Sequence, residues 1–292
     1  MDTAGSFAVL QRSFTLYLQV QGLRPSTISH YTRDVRRLAD FFDGQTPDSL
    51  DASDLRTFLA SLQSRYAPKT VRETQLAIRK FFRFLLSEGE TGSNPTDGFK
   101  LINPGPPEPQ PTYTEAETKR LLLACSMQTN GGIRDRALLL VLFDTGVRVG
   151  ELVSMQLPDW EHRQARVSGK TGVRNVPMGV ATLQAVERYV RKWGISEGLL
   201  WRGKKGPLTG SGVLQLVKRL SRRAGVDHKG VHAFRRASAA QMKRLGMQDS
   251  DILEIMGWKD VTMLRRYTAE VAEELAHDAH RRASPGDALG LR

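Results

Sequence analysis

The 292-residue sequence predicts a mostly α fold with a small β-sheet (α+β), divided between a small all-helical domain and a larger mixed one. Three observations carry this reading. Apolar residues recur at helical spacing over most of the chain. Residues 164–178, QARVSGKTGVRNVPM, read instead as two short strands around a tight Lys-Thr-Gly turn. Residues 103–112, NPGPPEPQPT, hold five prolines and one glycine in ten positions, which makes a stiff extended linker with no core of its own. The expected domains are therefore 1–102 and 113–292, joined by 103–112.

The first domain reads as four helices. Phe7, Leu10, Phe14, Leu16, Tyr17 and Leu18 mark one through residue 20, which Gly22 and Pro25 interrupt. Ser26 is the expected cap of a second, with Ile28, Tyr31, Val35, Leu38 and Phe41 as its buried stripe. Asp51 opens a third with Leu55, Phe58, Leu59 and Leu62 inward. After Pro68 a fourth runs from Lys69 to Ser87, with Val71, Ile78, Phe81, Phe82 and Leu85 on its apolar side. The polar faces of the second and fourth carry Arg24, Thr27, His30 and Arg33, then Lys69, Thr70, Arg72, Gln75 and Arg79. Such a mixture suits phosphates and base edges, and equally a solvated surface.

In the second domain Thr114 and Glu117 make a capping box for a helix through Cys125. GGIRDRALLLVLFDTG is a nearly all-apolar helix, expected to be buried and to end at Gly146. Beyond the two strands, helical patterns resume at 180–193, 209–224, 232–245, 249–256 and 260–282.

Composition narrows the partners. A net charge of +12 and a pI near 10.1 point to a polyanion, because a basic surface releases counterions from phosphates. The charge is uneven: residues 1–105 hold 13 Lys+Arg against 11 Asp+Glu, leaving 30 against 20 in residues 106–292. Cys125 is the single cysteine, so no intramolecular disulfide or cysteine-rich zinc site can form. The longest apolar runs fall short of the roughly 20 residues that span a bilayer. With no signal-peptide pattern in MDTAGSFAVLQ, a cytoplasmic protein is expected.

Five short stretches hold the side chains suited to phosphate chemistry. Arg148 follows the apolar helix, with Glu151 at i+3 able to hold its guanidinium. Lys170 occupies the hairpin tip, where a flexible amine can reach a leaving oxygen. His232 and Arg235, at i and i+3, project to one side of a helix while Phe234 turns to the core. Trp258 lies nine residues before Tyr267, which follows Arg265 and Arg266 in an electropositive setting. Each feature alone also fits a surface ion pair, a solvated turn or a packed aromatic. His277 and His280 have no third ligand nearby and read as a solvated helix face, so no metal site is expected.

In this order and spacing, Arg148, Lys170, His232-x-x-Arg235, Gly257-Trp258 and Tyr267 resemble the active-site series of the tyrosine recombinases, the group of phage integrases, Xer recombinases and Cre. GLRPSTISHYTRDVRRL and APKTVRETQLAIRKFFRFLLSEG in the first domain are similar to the family's SAM-like four-helix core-binding domain. Three positions depart from the commonest Xer-like pattern: Gly150 where serine is frequent, Arg236 where histidine is frequent, and Trp258 where many members have histidine. None removes a chemically necessary group, since an indole N–H still donates.

The resemblance implies a site-specific recombinase that needs neither ATP nor metal and carries no cofactor. Tyr267 would be the nucleophile. Arg148, Arg235, His232 and Trp258 would bind the phosphate oxygens, Lys170 would protonate the leaving oxygen, and Glu151 would orient the arginine and histidine cluster. Lys204, Lys205, Lys218, Arg222 and Arg223, with Arg202 and Arg219, are expected on DNA together with Thr27, His30, Arg33, Lys69, Thr70, Arg72 and Arg79. The implied partners are double-stranded DNA with a specific inverted-repeat site, further copies of the chain in a tetramer, and accessory DNA-bending proteins. A C-terminal segment of about 270–292 would reach a neighbouring subunit. The implied source is a prokaryote, phage or mobile element, with the protein at the nucleoid. Two other readings share these residues: a type IB topoisomerase-like relaxation enzyme, and a noncatalytic DNA-binding regulator.

Overall fold

The computed structural model describes residues 5–105, 110–169, 172–203 and 205–290. The chain forms two compact units, Met1–Glu108 and Pro109–Arg292, each with its own hydrophobic core.

Four helices build the first unit: α1 (Phe7–Val20), α2 (Pro25–Phe41), α3 (Ala52–Gln63) and α4 (Pro68–Ser87). Their starts follow from local chemistry. Ser6 caps α1, and Asp51 with Asp54 forms a reciprocal capping box on α3. Proline opens α2 and α4, where its missing N–H has no partner to lose. Arg24, rather than the expected Ser26, is therefore the N-cap residue of α2. The core centres on Phe14, whose ring lies 5.3 Å from that of Phe81 and 5.4 Å from that of Phe84.

Two expected core residues face outward. Leu16 is 62% exposed because it lies two positions from both Phe14 and Leu18, about 200° around the helix from each. Phe41 is 43% exposed, and its neighbour Phe42 takes the buried place at the end of α2. Gln75, expected on a polar face, is buried: its side chain donates to Lys100 O and accepts from Ile102 N, both at 2.9 Å. Arg72 donates to Ile102 O at 3.0 Å, so this stretch of α4 fastens residues 100–102.

In the second unit, α5 (Glu115–Leu123) opens with the expected capping box and leads to α6 (Asn130–Thr145), which packs against α8 (Val180–Trp193) and α10 (His232–Arg244). Between them come the single turn α7 (Val149–Val153) and an antiparallel hairpin of β1 (Gln164–Gly169) and β2 (Gly172–Pro177), in register from Gln164↔Pro177 to Gly169↔Gly172. The short strands β3 (Arg202–Gly203) and β4 (Gly206–Pro207) precede α9 (Gly210–Ala224), and α11 (Asp249–Met256) and α12 (Val261–Arg282) complete the unit. At two residues each, β3 and β4 are too short to leave an alternating signal. A satellite cluster of Ala239, Met242, Ile252, Met256, Trp258 and Leu264 joins α10, α11 and α12. No helix among the described residues is long and apolar enough to cross a membrane.

Gly146 ends α6 in the left-handed conformation, at φ 59°, and turns the chain toward α7. A Cβ there would lie 2.6 Å from the Met256 sulfur. Gly146→Ala should therefore destabilise the chain by at least about 1 kcal/mol, the left-handed penalty alone. Gly131→Ala, inside α6 with open space around it, should be neutral or stabilising. Chemical denaturation of the two variants checks the contrast, and equal effects would refute it.

Candidate active site

The left-handed turn at Gly146 delivers Arg148 to the N-cap of α7, where its backbone N–H donates to Glu151 Oε2 at 2.8 Å. Its guanidinium returns to the same carboxylate, with Nη1 2.9 Å from Oε1. Glu151 is 1% exposed, and a carboxylate so deeply buried needs charge-assisted partners. A second guanidinium, Arg174 on β2, supplies them with Nη2 3.1 Å from Oε2 and Nε 3.5 Å from Oε1. Burial opposes ionisation, yet the bonds from Arg174 and the Arg148 backbone outweigh it and hold the Glu151 pKa below 4.5.

Arg235 sits one turn into α10 and is 2% exposed. Its Nη1 donates to Gly146 O at 2.6 Å, and its Nη2 donates to Met256 O. Those carbonyls end α6 and α11, where helix geometry leaves acceptors unpaired and the dipole is negative. Burial, and then the positive charge of Arg148, push the Arg235 pKa down to about 10, still fully protonated at neutral pH. The guanidinium lies 5.0 Å from the centroid of the Trp258 ring, and that ring lies 4.8 Å from Tyr267. Trp258 is 7% exposed, and its indole Nε1 is buried with no acceptor among the described residues.

His232 begins α10 on the exposed side. Loss of hydration against its surroundings, and then the charges of Arg235, Arg236 and Arg148, lower its pKa below 6.5 and leave the ring neutral at pH 7. The start of α10 is held from behind. Lys229 donates to Glu117 at 2.7 Å and to Thr112 O at 3.0 Å, Arg236 donates to Pro111 O, and Phe234 packs on Tyr113.

Arg148, Glu151, Arg235, Trp258 and Tyr267 thus form a connected set, with His232 within electrostatic reach of two of its arginines. Lys170 lies outside the described residues, next to Gly169 at the end of β1. Glu151 contacts Arg148 and Arg174; no bond from it to His232 occurs among the described residues. Sequence reasoning missed Arg174. A signal existed: on β2 it shares the face of buried Val176, whereas the apolar Val173 is 56% exposed. An inverted alternation of this kind marks a charged side chain sent inward for a reason.

The residues expected on DNA differ in exposure and bonding. In the first unit His30, Arg33 and Lys69 are exposed, Thr27, Thr70 and Arg79 half-buried, and Arg72 is engaged with Ile102. In the second, Lys205, Lys218, Arg222 and Arg223 are exposed, while Lys204 lies outside the described residues. Arg219, 2.7 Å from buried Asp135, is part of an internal ion pair, and Arg202 donates to Glu197 O.

Glu151→Gln tests the buried carboxylate. Because the folded-state pKa is depressed, its stabilising contribution is complete above about pH 4.5 and is lost as pH falls through the lower folded value. The melting-temperature gap between wild type and variant should be constant at neutral pH and close below pH 4.5. A gap independent of pH would refute the assignment.

Comparison with known proteins gives the family and the fold. Residues 112–274 match the phage integrase family, and residues 10–89 match the phage integrase N-terminal SAM-like domain. A tyrosine recombinase XerC of Herpetosiphon aurantiacus is 30% identical over 274 residues, covering 87% of this chain and 88% of the relative. A XerC of Pelobacter propionicus is 29% identical over 271 residues, covering 88% and 89%. Among solved structures, a lambda integrase tetramer bound to a Holliday junction shares the fold with a TM-score of 0.76 at 16% identity, covering 91% of this chain and 78% of that one. With the first match alone spanning more than half of its length, this chain belongs to the phage integrase family of tyrosine recombinases.

Proposed function

We propose that the chain is a site-specific DNA recombinase that cleaves and rejoins strands through a 3′-phosphotyrosyl intermediate on Tyr267, exchanging strands between two sites by way of a Holliday junction. The observation that carries this reading is the convergence of Arg148, Arg235, Trp258 and Tyr267 with a neutral His232. A tyrosine beside an arginine-rich cluster suits nucleophilic attack on a phosphodiester.

In the proposed step the Tyr267 oxygen forms a bond to phosphorus as the bond to the 5′ oxygen breaks. His232, kept neutral, accepts the phenol proton. Lys170 protonates the departing oxygen. Arg148, whose side chain is 27% exposed, offers its remaining donors to the nonbridging oxygens, and Arg235 adds a buried positive charge behind them. The orphan indole N–H of Trp258 supports this reading, because an unpaired buried donor costs about 1–3 kcal/mol and a phosphate oxygen would satisfy it. Attack by a 5′-hydroxyl of the partner strand reverses the step, so bond energy is conserved.

Residues 1–102 would act as the core-binding domain, 103–112 as the linker and 113–292 as the catalytic domain. The target would be an inverted-repeat site in double-stranded DNA, bound by four copies of the chain with the segment 270–292 reaching a neighbour and accessory DNA-bending proteins assisting. Lys205, Lys218, Arg222 and Arg223 would contribute to the electrostatic hold. The protein would work in the cytoplasm, at the nucleoid. A lambda integrase tetramer on a Holliday junction, with the same fold, supports the assembly.

The test is a suicide duplex carrying the native site, nicked beside the cleavage point, incubated with wild type and Tyr267→Phe and resolved on denaturing gels. Wild type should form a covalent adduct without ATP or metal, and the variant none. The adduct rate should fall once acidification protonates His232, at a pH lower than that at which an ordinary histidine protonates. Tight binding to a verified site with no adduct would replace this reading with that of a noncatalytic regulator. Relaxation of supercoils without exchange between sites would replace it with that of a topoisomerase.

A further inference from the structure

Arg174 is the one arginine of the cluster that the recombinase scheme leaves without a role. Its surroundings are unusually specific for a strand residue. Its side chain is 17% exposed and its donors reach two separate elements: the Glu151 carboxylate on α7, and the carbonyl of Ile255 near the end of α11, which receives Nη1. The backbone closes around these groups at two glycines. A Cβ on Gly257 would lie 3.0 Å from Arg174 Nε, and a Cβ on Gly169 would lie 2.8 Å from Glu151 Cγ. Gly257 is also left-handed, at φ 60°, and hands the chain directly to Trp258.

We propose that Arg174 is a positioning residue, which sets the phosphate-binding geometry by clamping the Glu151 carboxylate that holds Arg148 to the turn of α11 that presents Trp258. The inference rests on the recombinase reading of the site and assigns within it a residue that would not itself touch DNA. Without Arg174 the Glu151 carboxylate would be held by Arg148 alone, through its backbone N–H and one guanidinium bond, with nothing tying it to α11. Arg174 bonds both carboxylate oxygens, and its second anchor on Ile255 O ties it to α11. The guanidinium suits this work because its rigid planar fork fixes the directions of its donors, whereas an ammonium is a rotatable point charge that fixes none. Its donors are turned to Glu151 and Ile255, whereas the Arg148 side chain makes one hydrogen bond among the described residues.

The experiment measures single-turnover adduct formation on the suicide duplex at saturating protein, with DNA affinity determined in parallel, for wild type, Arg174→Ala and Arg174→Lys. A misplaced Arg148 should cost on the order of 10²-fold in cleavage rate, with affinity little changed. The second readout is a duplex whose scissile phosphate is a neutral methylphosphonate. With the ground-state charge and one nonbridging oxygen removed, the transition state carries one negative charge fewer for Arg148 to stabilise, and the rate ratio of wild type to variant should narrow on this substrate. Arg174→Lys preserves charge and length, should fold where alanine does not, and should still be slow on the natural phosphodiester.

Equal defects on the two substrates, a rate loss that only follows a loss of affinity, or wild-type rates in both variants would each overturn the proposal. Adduct formation by the wild type keeps the two readings apart. Its absence counts against the recombinase reading, whereas its presence with unaffected variants counts against the role of Arg174 alone.

Discussion

The buried carboxylate of Glu151 is the constraint on which the second unit depends. At 1% exposure its charge survives because Arg148 and Arg174 both bond it, and the Arg235 guanidinium feels its field. Breaking a buried ion pair by removing one partner costs about 3–5 kcal/mol, so the group holds together as a unit. Three guanidiniums around one carboxylate leave a net positive centre. The protein has stored, at the cost of mutual repulsion, a place that an anionic diester would relieve.

Helix ends do the remaining work of placement. The α6 and α11 C-termini present unpaired carbonyls to Arg235, and α11 does the same for Arg174. Both ends close on a left-handed glycine, Gly146 and Gly257, and neither has room for a larger residue without displacing the Met256 or the Arg174 side chain. Arginines anchored on main-chain carbonyls are fixed relative to the backbone itself. Trp258, under the Arg235 guanidinium and tilted against Tyr267, packs on a group so fixed.

Behind the site, α10 is fastened by contacts that chemistry at the phosphate does not need. Arg236, which stands where related sequences often have histidine, bonds Pro111 O, while Lys229 bonds Glu117 and Thr112 O. The departure from the usual family pattern thus places a structural clamp one residue from Arg235. Similarly, Arg72 and Gln75 in the first unit serve the segment at 100–102, although their position on a polar helix face suggested DNA.

Much of this was legible in the chain itself. Apolar periodicity located the helices, because burial on one face repeats every 3.6 residues. The Thr114 box and the Gly146 stop are local hydrogen-bond and steric rules, and Arg148, His232, Arg235, Trp258 and Tyr267 were recognisable from order and spacing. Periodicity states which face is buried but never against what. Arg174 reaches a carboxylate 23 residues away and a carbonyl 81 residues away, and Arg235 grips a carbonyl 89 residues back. Such contacts join positions with no shared local pattern, so they exist only once the elements have packed. Sequence by itself determined the elements and the chemical groups available; tertiary structure decided which of the arginines would meet the Glu151 carboxylate and which a main-chain carbonyl, because that choice is made by the nearest acceptor in space.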